Sequence, residues 1–380
     1  MEPNVYISDV TRKLASIQKI SELRPIEGAD RIEVAMMEGL GWECVVKKDE
    51  LKVGDTVVYF EVDSILPEKP EYEFLRERKF RIKTIKLKKQ VSQGLIVPRQ
   101  IAIPGYVAYL VGTDVTELLG VKKHDPQGQE EQSLASESTK TRMPKFLMNM
   151  FWFRWIYFKL NPKTKGCWPS WIQKTDEDRI QVCLKTLMNH YNEPWYITEK
   201  MDGSSATYFT YFRKKWGFKF KQFGVASRNI WLKTSKGRYG LVADKYKLED
   251  KLTKDSELLI VQGEMCGPGI QKNKYGFEDL NFFVFNIIKN GNRLDLDDMV
   301  EWSLKNDLTP VPMVNPLFFP SKEIGLDKST ADIIHYLVNL SKGNSIYGKT
   351  QREGIVVRLR DDPSISFKVI NPEFLLKNDE

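Results

Sequence analysis

Residues 122 to 145 read KKHDPQGQEEQSLASESTKTRMPK, a tract with one Leu, one Met and otherwise no large apolar side chain. Such a stretch cannot bury enough surface to offset the entropy lost on ordering it. It therefore divides the 380 residues into a first domain over 1–120, a polar linker over 121–145 and a second domain over 146–380. Both blocks have material for packed cores, because 41% of the chain is apolar and 12% aromatic. A net charge of +7 with both signs widely spread permits a polyanionic partner without requiring one.

The four cysteines, Cys44, Cys167, Cys183 and Cys266, lie far apart, with three histidines and no C-x-x-C pair. This argues against a zinc site or a disulfide framework and suits a reducing compartment. Residues 1–30 carry charges throughout and lack a continuous apolar run, so an intracellular location, cytoplasm or nucleus, is expected. FLMNMFWFRWIYFKL, residues 146–160, is too short to span a bilayer and has Arg154 in its middle. It reads as a core or domain-interface helix, with membrane-surface binding as the alternative. No membrane partner is expected, and with no interface signature a monomer is the default.

The first block is β-rich. ELKVGDTVVYFEVDSILP and SQGLIVP supply short strands punctuated by Gly, Asp and Pro, with little helix, which predicts a small barrel. Within it FRIKTIKLKK, residues 80–89, sets Arg81, Lys83, Lys86, Lys88 and Lys89 among apolar residues. The alternation changes phase between Ile82 and Ile85, which predicts a bulge or bend there. Two readings of the basic residues stand: a solvated strand face, or a surface that contacts phosphates.

In the second block PWYI runs into TEKMDGSS and then ATYFTYF, so Lys200 closes one strand-like run two residues before an Asp-Gly pair. Asp-Gly between β-rich runs is an ordinary hairpin signal, and the lysine beside it need only face water. The other reading makes Lys200 a covalent nucleophile, which its unperturbed pKa of ~10.4 opposes. Further strands also end on polar groups. GVASRNIWLK carries Ser227, Arg228 and Asn229; ELLIVQGEMCGPGIQ carries Glu264; NFFVFNI carries Phe283 and Phe285. EGIVVRLR carries Glu353 and ISFKVIN carries Lys368, with DDPS as the turn between them. Strand parity then puts Ser366, Lys368 and Ile370 on one face and Phe367 and Val369 on the other.

In this order the segments resemble the motif series of the covalent nucleotidyltransferases, the ATP-dependent ligases and mRNA capping enzymes. GADRIE, IKLKKQVSQGLIVP, KTDEDRIQ, TEKMDGSS and GPGIQKNKYG narrow the resemblance to ATP-dependent RNA ligases whose OB domain precedes the catalytic one. Only NPEFLLKNDE follows FKVI, which leaves no room here for the C-terminal OB domain of DNA ligases and capping enzymes. The implied fold is an N-terminal OB-type β-barrel followed by an α+β nucleotidyltransferase domain of the ligase and capping superfamily.

The resemblance implies sealing of RNA 3′-OH and 5′-phosphate ends, with a nicked duplex as the expected partner. ATP and a divalent cation, Mg²⁺ or Mn²⁺, are the implied cofactors. Lys200 would carry AMP, and Lys368 would lower the Lys200 pKa and bind the α-phosphate. Glu199, Asp202, Gly203, Arg228, Asn229, Glu264 and Phe285 would complete the nucleotide site, with Phe285 stacked on adenine and Phe283 in reserve. Glu353 and Asp202 would hold the metal, and Gly203 would permit a tight turn. Arg81, Lys83, Lys86 and Lys88 would meet nucleic acid. Related ligases commonly show Lys-x-Lys where this chain has Lys368 flanked by Ser366 and Ile370, so a second phosphate cation must come from elsewhere, with Lys174 or Lys377 as candidates. His190 is read as a structural or capping residue. DNA ligation and a catalytically inactive nucleic-acid-binding relative are the alternatives.

Overall fold

The long strand β1 (Ala15–Pro25) organises the first block by serving two partners in turn. In the computed structural model, which describes residues 13–103, 105, 109–124, 168–215, 218–232 and 237–378, its first half pairs with β4 (Thr56–Phe60). Its second half pairs with β2 (Ile32–Met37), after a register irregularity between Ile20 and Glu22. That irregularity bends the strand, so that the sheet curls into a half-barrel. With β3 (Glu43–Lys47) and β8 (Leu95–Pro98) the sheet order is β3-β2-β1-β4-β8. One core gathers Ile17, Phe60 and Tyr72, and a second gathers Ile20, Trp42 and Tyr59.

Two expectations for this block need correction. The basic run is not one strand: only β6 (Ile85–Leu87) pairs, with β7 (Gln90–Ser92), and the turn between them puts Lys88 and Lys89 at φ 47° and 69°. A two-residue hairpin needs positive φ at both central positions, and two lysines there cost about 1–2 kcal/mol each relative to glycine. The module also runs past residue 120. Beyond the short strand β5 (Ser64–Ile65), β9 (Lys122–Lys123) lies inside the tract read as linker and pairs with it. The aromatic segment 146–160 and the rest of the linker, residues 125–145, lie outside the described residues.

The second block holds two antiparallel sheets. The smaller has the order β18-β10-β19-β20, from β10 (Trp195–Lys200), β18 (Met313–Phe318), β19 (Gly354–Leu359) and β20 (Ser366–Ile370). The larger runs β13-β12-β11-β14-β15-β16, from β11 (Ser204–Lys215), β12 (Phe218–Ala226), β13 (Trp231–Leu232), β14 (Leu259–Cys266), β15 (Asn281–Lys289) and β16 (Asn292–Arg293). β17 (Thr309–Pro310) adds to β15 in parallel.

β10 and β11 therefore belong to different sheets, and the Asp-Gly pair marks a crossover, not a hairpin. Helix α1 (Ile180–Asn189) and helix α2 (Thr330–Ser341), which carries a Ser329–Asp332 capping box, cover the small sheet over a core of Trp195, Ile197, Val357 and Phe367. Phe367 and Val369 enter that core and Lys368 faces away, as strand parity predicts.

The two blocks meet at α1 and α2. Gly41 N–H donates to the Gln181 carbonyl at 3.0 Å, and a Cβ on Gly41 would sit 1.7 Å from Ile334 Cδ1. Arg179 lies over Trp42 and 3.6 Å from Asp63. His335 Nε2 is 3.1 Å from Glu43, which Arg24 also holds. Among the described residues no helix is long and apolar enough to cross a membrane, and Cys44, Cys183 and Cys266 are free thiols.

Burial alone would raise the Glu43 carboxyl, but His335 and Arg24 outweigh it and bring it down to about 2. The same hydrogen bond raises His335 against its burial. The Glu43 share of stability is present above its ordinary 4.5 and lost as pH falls through about 2. The His335 share is present below 6.5 and lost as pH rises through its raised value. His335→Gln should lower the melting temperature most near pH ~5–6, with the gap closing by pH ~9. A gap that does not vary with pH contradicts this assignment.

Candidate active site

The crossover runs from the C-terminal end of β10 into the start of β11, beside the C-terminal end of β14. Lys200, the last residue of β10, pairs in register with Gly354, while Ser204 and Ser205 pair with Met265 and Glu264. Lys200 is thereby carried beside Glu353 from one sheet and Glu264 from the other. Its Nζ lies 2.7 Å from Glu353 Oε2, with both side chains mostly buried. Gly203 is required for a reason other than a turn: its φ is not positive, but a Cβ there would lie 2.3 Å from the Met265 carbonyl oxygen and 2.9 Å from Glu264 Cγ. Gly354 meets the same limit, with the Val369 carbonyl oxygen at 2.2 Å.

Three carboxylates set the electrostatics. Burial works against the Lys200 ammonium, yet Glu353, Glu264 and Asp202 outweigh it and hold the proton above the usual lysine range. Lys368 alone does not depress Lys200, because the carboxylates outweigh it; the lowering expected of Lys368 together with a divalent cation is a separate matter of the bound metal. Glu264 rises to about 8, through burial first and then through Glu353 and Asp202, against the pull of Lys200. Asp202 is raised by burial and Glu353, against the pull of Lys274, whose Nζ is 2.5 Å away. Lys368 moves the other way. Burial, helped by Lys200 and Arg179, brings it down to about 8 against Asp176.

Lys274 was not picked out from the sequence, although GPGIQKNKYG was. It is aimed by three consecutive left-handed residues, Gln271, Lys272 and Asn273 at φ 44°, 57° and 46°. None is glycine, and such strain persists only where the surroundings over-determine it. Tyr275 beside it accepts the Asp202 backbone N–H at 2.7 Å.

On the aromatic side, Phe283 stands opposite Glu264 and packs with Met201, Phe277 and Tyr347. Phe285 occupies a bulge in β15, where Asn286 pairs with Gln262 and Val284 with Gly263. The Arg358 guanidinium lies 5.7 Å over its ring and is itself pinned by Glu177 at 2.5 Å. Glu199 is buried, interacts with Ser345 and Ile346, and keeps Oε1 without a hydrogen-bond partner. Its carboxyl is raised by that burial.

On the opposite flank the Asp176 carboxylate binds Arg228, beside half-buried Asn229, and lies 3.6 Å from Lys368 and 3.9 Å from Lys123. Lys174 and Lys377 are exposed and Lys123 was not anticipated, because its approach to the site depends on how the two blocks dock. His190 closes α1, with Nδ1 2.8 Å from Glu193. Arg81 is not the open phosphate contact expected of it: it turns inward to Asp63 at 2.7 Å, whereas Lys86 and Lys88 are exposed and Lys83 is half-buried.

A lysine at the crossover of two antiparallel sheets, ringed by carboxylates and flanked by a lysine-arginine pair, sits here in a nucleotidyltransferase fold. Residues 193–370 match the RNA ligase family and residues 14–99 an OB-fold domain family. The chain belongs to the RNA ligase family and is an RNA ligase with an N-terminal OB fold.

Solved structures of Naegleria gruberi RNA ligase are similar along the whole chain. The form with pyrophosphate is 28% identical, with TM-score 0.74 and coverage of 97% of this chain and 99% of that one. A Lys-to-Ala variant with ATP and manganese and a Glu-to-Ala variant with AMP and manganese are each 28% identical, with TM-score 0.75 and the same coverage. No curated protein matches by sequence.

Gly203→Ala should destabilise the fold by about 1–3 kcal/mol, since backbone and not a flexible side chain blocks the new methyl. Urea denaturation reads this. An unchanged midpoint would show that the two sheets separate freely at the crossover.

Proposed function

We propose that the chain is an ATP-dependent ligase that seals RNA 3′-OH and 5′-phosphate ends through an AMP adduct on Lys200. The observation that carries this is the Lys200 amine set among Glu353, Glu264 and Asp202, with Lys368 and Arg228 across the cleft. Lys200 Nζ attacks the α-phosphorus of ATP; a P–N bond forms and pyrophosphate leaves. The adenylyl group then passes to the RNA 5′-phosphate oxygen, freeing the lysine. Finally the 3′-OH oxygen, giving up its proton, attacks the phosphorus of the RNA 5′-phosphate, and AMP departs with the bonding pair. Lys368 and Arg228 neutralise charge on the phosphate oxygens, and Glu264 accepts hydrogen bonds from the ribose. Phe285 or Phe283 offers a face to adenine, with Glu199 and Asn229 at the pocket's edge.

The site suits a divalent cation. Glu353 is close enough to Asp202 to help burial raise its carboxyl, and Glu264 is raised by burial first and then by Glu353 and Asp202, so three acidic oxygens face one another here. Among the described residues no three His, Cys, Asp or Glu side chains form a complete cage, so phosphate oxygens and water would supply the remaining ligands, as Mg²⁺ and Mn²⁺ commonly require. When bound, the cation offsets the carboxylates' hold on the Lys200 proton and the charge of the phosphates.

For RNA, a groove of about 420 Å³ between the two blocks offers Lys86 and Lys89 from one wall and His335 and Lys342 from the other. Glu43 and Glu373 also line it, so binding there is selective in position and not merely basic. The exposed Lys88 continues the basic wall, and a nicked duplex held by a monomer fits this two-walled arrangement.

Wild type incubated with ATP and Mn²⁺ should gain the mass of one AMP, reversed by pyrophosphate, and Lys200→Ala should gain none. Absence of an adduct, with a prior adenylylated state excluded, contradicts the proposal. Replacing Lys86 and Lys89 by Glu should weaken binding to nicked RNA and reduce the log–log salt slope by roughly one per lysine. An unchanged slope places the RNA elsewhere.

A further inference from the structure

Residues 210–222, TYFRKKWGFKFKQ, hold five cations and no acid, and they belong to the outer ends of β11 and β12. Past Phe209 strand β11 has left β14, and β13 reaches β12 only at Val225 and Ala226, so these ends stand as a two-stranded ribbon. Burial falls off along it. Gly224 is buried, whereas Phe220 is 50% and Phe218 70% exposed, and Phe212 on the reverse face is 51% exposed. A single exposed aromatic is ordinary, but three on one ribbon call for a reason.

Register sorts the two faces. Arg213 lies opposite Phe220 and Tyr211 opposite Gln222, so Tyr211, Arg213, Phe218 and Phe220 share a face. Phe209 and Ser205 share it too, and Ser205 stands opposite Glu264, so the same face lines the catalytic cleft at its inner end. Rings connect the two ends: Trp171 meets Phe209 at 5.3 Å, Phe209 meets Trp231 at 5.4 Å and Trp231 meets Tyr211 at 5.2 Å between centroids. The root of the ribbon is fixed from behind. Lys221, opposite Phe212, donates to the carbonyls of Leu252, Asp255 and Glu257 at the end of the helix Leu248–Lys254.

We propose that this ribbon is an RNA-binding arm, in which Phe218 and Phe220 stack on unpaired bases of the substrate and Arg213 binds a neighbouring phosphate. The inference rests on the RNA-sealing reading above and narrows its substrate to breaks flanked by an unpaired segment. Bases inside a duplex present no open face to a ring, whereas unpaired bases do. Arg213 is eight positions along β11 from Ser205, about 26 Å at ~3.3 Å per residue, so the unpaired segment lies well outside the joint. Five cations without an acid suit a polyanion and repel a second copy of the same ribbon. An anionic bilayer would meet the same residue types, and membership in the RNA ligase family favours RNA.

The test uses the full chain and three labelled nicked RNA duplexes, one fully paired and two with an unpaired uridine tract that begins roughly eight base pairs from the nick, on one side or the other. Binding is followed by fluorescence anisotropy for wild type, Phe218→Leu with Phe220→Leu, Phe218→Tyr with Phe220→Tyr, and Arg213→Gln. Wild type should bind one tailed RNA more tightly than the paired one. The Leu pair should weaken that tailed RNA by about tenfold or more and leave the paired RNA within about twofold, since Leu keeps apolar bulk but cannot stack. The Tyr pair should restore most of the affinity. Arg213→Gln should reduce the log–log salt slope for the tailed RNA by about 0.7.

A tailed RNA bound no better than the paired one, or a Leu pair that binds it like wild type, overturns the arm. So does a Leu pair that loses the paired RNA to the same extent. Binding to vesicles of phosphatidylserine and phosphatidylcholine that the Leu pair loses, with tailed-RNA affinity unchanged, assigns the ribbon to a membrane surface instead. A wild type that binds none of the three RNAs overturns the RNA-sealing reading itself, and the arm with it.

Discussion

The site depends on one covalent crossing: four residues, Lys200 to Gly203, carry the chain from the small sheet to the large one. Because Gly203 packs against β14 backbone with no room for a Cβ, the two sheets are fixed at the distance that puts Glu353 and Glu264 on either side of Lys200. The cores behind each sheet, around Trp195 and Phe367 on one side and Tyr208 and Phe282 on the other, make that spacing rigid. Catalytic geometry here is a consequence of sheet packing, and the loop itself needs no unusual backbone angle.

The same packing gives the site an unexpected charge state. Lys200 sits among carboxylates that hold its proton, while Lys368, further from them and close to Lys200 and Arg179, is the lysine brought down to about 8. The carboxylates around Lys200 thus hold its proton in place. The Asp176 carboxylate has a parallel position on the other flank, where it balances Arg228 and Lys368.

Much of this was legible in the sequence because it depends on local order. The strand that ends on Lys200, the β19–β20 hairpin and the inward Phe367 and Val369 follow from strand periodicity and turn residues. The resemblance of the motif series supplied the roles. What sequence reading missed depends on non-local packing. Asp-Gly looks the same in a hairpin and in a sheet-to-sheet crossover, and Gly203 is explained only by a carbonyl from residues more than sixty positions away. Arg81 and Lys83 alternate in sequence with Lys86 and Lys88, yet Arg81 is drawn inward by Asp63. Lys123 and Asp176 lie on either side of a long tract, and only docking of the N-terminal end of α1 against Gly41 and Trp42 brings them together. Lys274 was hidden because a left-handed run of Gln, Lys and Asn has no sequence signature.

The central claim is that Lys200, whose proton the surrounding carboxylates hold, is nonetheless the residue that accepts AMP. Three lysines share the cleft, and by resting pKa alone Lys368 would be chosen. Digestion of the adenylylated protein under alkaline conditions, followed by fragmentation of the modified peptide, assigns the adduct to one lysine. The account predicts AMP on Lys200 and unmodified Lys274 and Lys368; AMP on either of those would contradict it.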